Sequence, residues 1–104
     1  MSDVYGWLFH SEVDLDQARA RLDGAAGFTF AIREAEHEGR YVNGTDARGI
    51  RLRVLGEVRV GELELYFPSA ARGEPLSAEA RAEVVDVVIP DLLTRLGARD
   101  VRAD

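Results

Sequence analysis

Ile50-Arg51-Leu52-Arg53-Val54-Leu55-Gly56-Glu57-Val58-Arg59-Val60-Gly61-Glu62-Leu63-Glu64-Leu65-Tyr66-Phe67 decides the fold class. Ile50, Leu52, Val54, Val58 and Val60 share even parity, whereas Leu63, Leu65 and Phe67 share odd parity. Period-two alternation means strands with one face in a core. The parity switch at Gly61-Glu62 marks a hairpin turn, and glycine in the first turn position suits a type II′ loop. This turn sets Val60 opposite Leu63 and Val58 opposite Leu65, with Arg59 facing Glu64 on the other side. A turn at Gly56-Glu57 would mix apolar and charged faces, so the Gly61 turn is preferred.

Upstream, Val4 to Phe9 is apolar at both parities and reads as an interior strand. Asp14 and Gln17 have capping-box spacing at the start of a short helix that ends near Gly24. Phe28-Thr29-Phe30-Ala31-Ile32-Arg33 alternates as a strand, and a further short strand runs from Arg40 to Thr45. Asp46-Ala47-Arg48-Gly49 reads as a turn.

Downstream, Ser77 caps a helix whose stripe is Val84, Val85, Val88, Ile89, Leu92 and Leu96, with Gly97 as its stop. Pro90 should kink or break it. The run Val84 to Ile89 is β-branched and could also be a strand. The helix is preferred because the stripe continues on both sides.

The expectation is one α+β domain over residues 1–104, ordered β-α-β-β-β-β-α. Its sheet is mixed, mostly antiparallel and five-stranded, with two helices on one face. The first strand, helix and second strand look like a crossover unit. Residues 98–104 read as a frayed tail.

Composition narrows the chemistry. The chain has thirteen arginines, no lysine and no cysteine. Thiolate and Schiff-base chemistry are therefore unavailable to its side chains. The bias to Arg, Ala, Gly, Asp and Val points to a GC-rich bacterial gene. The formal net charge of −6 disfavours nucleic acid, whose phosphates need cations. No run is long and apolar enough to span a membrane, and the start lacks signal-peptide character. A soluble cytoplasmic protein is expected, with no membrane partner.

Few residues invite chemistry. Glu36-His37-Glu38 has metal-ligand residue types, but adjacent side chains diverge, so no metal or cofactor is expected. His10-Ser11-Glu12 contains the residue types of a hydrolase, but proximity in sequence does not make a triad. Tyr5, Trp7 and Phe9 share one parity and are expected in the core. Arginine-rich sheet positions then pair with carboxylates on a solvated face. Expected partner-binding residues are Glu34, Glu36, Glu38 and Asp46 on turns of the meander. Second come Glu79, Glu83 and Asp86, which share a helix face at i, i+4 and i+7.

In size, acidity, element order and the segments Glu34 to Glu38 and Glu79 to Asp86, the chain resembles the small acidic immunity proteins with which bacteria neutralise their own toxins. The resemblance implies a non-enzymatic inhibitor that occludes the active site of a basic toxin domain or binds beside it. A monomer or homodimer is expected. The competing reading is a small homo-oligomeric regulatory or ligand-binding module that uses Tyr41, Tyr66 and the arginine-bearing sheet face. An enzyme would have to work with His10 or His37 and neighbouring carboxylates.

Overall fold

The computed structural model describes residues 5–37 and 39–103. The strands are β1 (Tyr5–His10), β2 (Thr29–Ala35), β3 (Gly39–Thr45), β4 (Arg51–Arg59), β5 (Glu62–Phe67), β6 (Ala70–Ala71), β7 (Glu74–Pro75) and β8 (Arg99–Ala103). The α-helices are α1 (Leu15–Leu22), α2 (Ala78–Glu83) and α3 (Ile89–Arg95), with a π turn (Val84–Val88) joining the last two.

The fold is α+β, but its sheet differs from the expected mixed five-stranded one. Six strands pair in the order β2-β3-β4-β5-β1-β8, and β6 and β7 form a separate two-stranded sheet. Every neighbouring pair is antiparallel. The expected crossover unit is also corrected. β1 and β2 run in the same direction, but β3, β4 and β5 lie between them. β1 is nonetheless interior, hydrogen-bonded to β5 and β8.

β8 is the second correction. The segment expected as a frayed tail is an edge strand, although all five of its residues are exposed. Its backbone pairing to β1, not burial of its own side chains, makes it a strand.

The hairpin register is the third correction. Val54 faces Leu65 and Leu55 faces Glu64, but the pairing then slips, so that Arg59 faces Glu62. Residues 56–58 bulge against the single residue Leu63, which takes this stretch out of the regular ladder ahead of the turn. Val58 and Val60 are therefore 48% and 92% exposed, while Leu65 is buried. Gly61 takes the second position of the turn, at φ 75°. A side chain there would still be strained.

Local signals for the helices hold. Asp14 accepts from the Gln17 N–H at 2.8 Å, and Gln17 accepts from the Asp14 N–H at 3.0 Å. Ser77 Oγ accepts from the Ala80 N–H at 3.2 Å. Gly97, at φ 64°, closes the last helix; its N–H bonds the Thr94 carbonyl, and the Ala98 N–H bonds that of Leu93.

Pro90 was expected to kink or break this helix. Instead the π turn ends as it begins α3, with Ile89 N–H donating to the Val84 carbonyl five residues back. Proline has no N–H to offer the Asp86 carbonyl, and its ring crowds that turn. Widening the preceding turn accommodates both problems. Val84, Val88, Ile89 and Leu92 stay buried throughout.

One apolar cluster unites Ala18 and Leu22 of α1, the buried residues of the last helical run, and Phe9, Phe30, Val42, Leu52, Val54, Leu65 and Phe67 of the sheet. Tyr5 and Trp7 pack against this cluster, stacked at 6.2 Å. Among the described residues, the opposite sheet face carries no helix. One row across it reads Arg102, Leu8, Glu64, Leu55, Tyr41, Arg33, and the next reads Gly6, Tyr66, Arg53, Asn43, Ala31.

Ser69 is a point of strain between β5 and β6. It is 1% exposed, sits at φ 58°, and its hydroxyl has no partner among the described residues. Left-handed backbone costs a non-glycine residue about 1–2 kcal/mol, and an orphaned buried hydroxyl adds to that. Ser69→Gly removes both at some entropic cost. We expect a net gain of about 1 kcal/mol, read as a melting point raised by several degrees. A lowered melting point would refute this.

Candidate functional site

The end of the sheet where β1 runs into α1 and β2 turns into β3 holds a concave surface. A cleft of about 840 Å³ opens there between residues 10–16 and the bulged β4–β5 hairpin. Its formation follows from the register. β3 pairs with β4 only as far as Tyr41–Leu55, so the strands part beyond that point. Leu15 fills the gap against Gly56, where an added Cβ would lie 3.1 Å from Leu15 Cδ1.

Glu12, Asp14 and Asp16 form one wall, and Arg40 and Arg99 also border the cleft. Arg40 bonds Asp16 at 3.1 Å and lies opposite Glu34 in the β2–β3 ladder. Two acidic segments far apart in sequence, Glu12 to Asp16 and Glu34 to Glu36, thus meet at one end. Asp14 is committed to the helix cap. Glu12, Asp16, Glu34 and Glu36 are exposed. The Arg40–Asp16 pair is itself solvent-exposed and contributes little stability.

The other expected partner-binding residues are dispersed. Glu38 lies outside the described residues. Asp46 is at the opposite end of the sheet, in the β3–β4 turn, with its side chain only 7% exposed. Its Oδ1 accepts from the Arg48 and Ile50 N–H groups, both at 3.0 Å, and Oδ2 accepts from Arg48 Nε at 2.9 Å. Asp46 therefore builds its own turn, and its grouping with Glu34 and Glu36 is corrected. Arg48 also reaches Glu83 at 3.3 Å. The hydrogen bond to Asp46 is the largest influence holding the Arg48 guanidinium above arginine's ordinary pKa, with desolvation opposing and Glu83 assisting. Glu79, Glu83 and Asp86 are all exposed, but the π turn between Glu83 and Asp86 breaks the regular i, i+4, i+7 line.

The His10-Ser11-Glu12 segment is not arranged as a triad. Ser11 is buried; its hydroxyl donates to the Leu96 carbonyl at 2.7 Å and accepts from the Val13 N–H at 3.2 Å. It fastens the β1–α1 loop to the end of α3. His10 faces Glu62 instead, with Nε2 at 3.7 Å from Oε2. The Glu62 side chain is 5% exposed and also accepts from Arg102 of β8. In sequence Glu62 looks like an ordinary turn residue, because its partners His10 and Arg102 lie far along the chain. Among the described residues, no three His, Asp or Glu side chains gather closely enough to hold a metal ion. Nor is any described helix long and apolar enough to cross a membrane.

Tyr41, Tyr66 and Arg53 do share the helix-free sheet face, with the Arg53 guanidinium 4.9 Å from the Tyr41 ring centroid. Arg33 and Arg51 flank them on the same face. No protein family matches this chain, and no curated protein matches its sequence.

Proposed function

We propose that this chain is a protein-binding inhibitor of the immunity type, which captures a basic toxin domain inside the producing bacterial cell. The observation that supports it best is the acidic wall of the cleft, Glu12, Asp14 and Asp16, with Glu34 paired across the ladder from cleft-bordering Arg40 at the same end. At this end carboxylates outnumber Arg40 and Arg99. An acidic surface focused on one end attracts a basic partner from a distance and speeds encounter. The cleft adds a concavity into which a protruding partner segment fits. Exposed Glu12 and Glu36 can pair with partner cations at little cost to the fold, because neither supports the core. Glu79, Glu83 and Asp86 form a second, weaker candidate surface, with Glu83 already engaged by Arg48. The reading needs no cofactor, nucleic acid or membrane.

The test combines identity with phenotype. Cross-linking in source cells followed by mass spectrometry should recover one basic protein that is toxic when expressed alone. Co-expression with the unmodified chain should restore growth. Glu12→Lys/Glu34→Lys/Glu36→Lys should fail to do so, while Glu79→Lys/Asp86→Lys protects. Full protection by the first triple variant would place the binding surface elsewhere. Absence of any toxic partner would defeat the immunity reading.

A further inference from the structure

The two edges of the six-stranded sheet are unlike. At β8 the pairing with its neighbour slips between Leu8 and His10, Asp100 sits at φ 53°, and Arg99, Asp100 and Arg102 are exposed charges. Bulges and charges of this kind hinder the addition of another strand. β2, at the other edge, carries the exposed charges Arg33 and Glu34 but no bulge. All seven of its residues stay in unbroken register with β3, and it contains neither glycine nor proline. Alternate residues of an edge strand turn their N–H and C=O groups outward, and a regular edge is a template for pairing.

We infer that β2 pairs with β2 of a second copy of this chain, about a two-fold axis at Ala31, joining the two sheets into one. This goes beyond the proposed inhibitor role and does not depend on it. A two-fold axis makes the strands antiparallel and the contact self-complementary. Matching faces leaves few registers. With the axis at Ala31, Phe30 of each copy lies opposite Ile32 of the other, an aromatic–β-branched pair on the core side. Thr29 then faces Arg33 on the helix-free side. Moving the axis to Ile32 would oppose Phe30 with Glu34. Moving it to Arg33 would oppose two guanidinium groups. Of these three registers, side-chain chemistry selects Ala31. Ile32 is only partly buried in the single chain, and this register covers it.

Absence of native cysteine makes the test clean. Paired residues on the axis place their Cβ atoms about 4.5–5.5 Å apart, close to disulfide reach. Sedimentation equilibrium from micromolar to submillimolar protein should show a monomer–dimer equilibrium. Ala31→Glu opposes two carboxylates on the axis and should weaken dimerisation at least about tenfold, or about 1.4 kcal/mol, with circular dichroism unchanged. Under mild oxidation Ala31→Cys should cross-link rapidly and Ala35→Cys slowly, because Ala35 lies beyond the paired stretch. A chain monomeric throughout overturns the proposal. So does a dimer indifferent to Ala31→Glu, or equal cross-linking at both positions.

Discussion

Gly44→Val should cost the fold about 3 kcal/mol. Gly44 lies opposite Phe30 in the β2–β3 ladder. A Cβ at Gly44 would sit 2.4 Å from Phe30 Cε1 and 2.7 Å from Cδ1. The ring cannot simply swing away, because Phe30 is 4% exposed and packs beside Phe28 at 6.1 Å between centroids. Forcing extra atoms into such a site typically costs about 1–3 kcal/mol, and valine adds three carbons. Gly44→Ala should fall at the lower end of that range. Urea denaturation reads both values. Shortening the ring with Phe30→Leu should recover part of the Gly44→Val loss, as expected for residues in contact. A loss below about 0.5 kcal/mol for Gly44→Val, the range of an ordinary surface change, would mean that the ring does not cover this glycine.

The second large effect concerns Glu62, a carboxylate only 5% exposed between His10 and Arg102. Arg102→Ala removes its guanidinium partner and leaves a charge in a poorly solvated position. Breaking a fully buried pair costs about 3–5 kcal/mol. Arg102 is 52% exposed, so water takes up part of the deficit, and His10 stays nearby. A loss of about 2 kcal/mol is expected on that discounted basis. Amide exchange should quicken first in β8, which has no buried side chain to hold it. Replacing both partners with leucine should be far milder than Arg102→Ala alone. If Arg102→Ala leaves both stability and β8 exchange unchanged, the pair does not anchor this strand.

These two sites also show which features a linear reading reaches. Caps and turns are chemistry between near neighbours, so Asp14 with Gln17, Ser77, Gly97 and the Asp46 turn were legible. Alternation revealed the core faces of Leu52, Val54, Leu65 and Phe67. It failed past Gly56, because Val58 and Val60 are apolar yet point to solvent beyond a bulge that no residue type announces. β8 escaped notice for the opposite reason: Arg99 to Ala103 carry no apolar period, and the strand rests on backbone pairing and on Glu62, forty residues away. The π turn reconciles the β-branched run with Pro90 in a way that neither helix nor strand propensity suggests.

The candidate site was legible in the same partial way. Glu34 and Glu36 read as exposed turn residues and are exposed. Their neighbours Glu12 and Asp16 stand on either side of the Asp14 cap. Their approach to Glu34 depends on the β1–α1 loop packing beside the start of β3. Asp46 looked equivalent to Glu34 because both lie on turns of one meander. Successive antiparallel turns fall at opposite ends of a sheet, which separates them.

On the proposed reading, the cleft end and not the helical surface meets the partner. Stopped-flow association with the toxin domain recovered by cross-linking tests it most directly. The rate constant should fall steeply as ionic strength rises, because screening shortens the reach of the Glu12, Asp16, Glu34 and Glu36 charges. Glu12→Lys/Glu34→Lys/Glu36→Lys should slow association at least about tenfold at low salt and flatten that salt dependence. A rate constant indifferent to salt and to the triple reversal would mean that the partner docks elsewhere than at the cleft end.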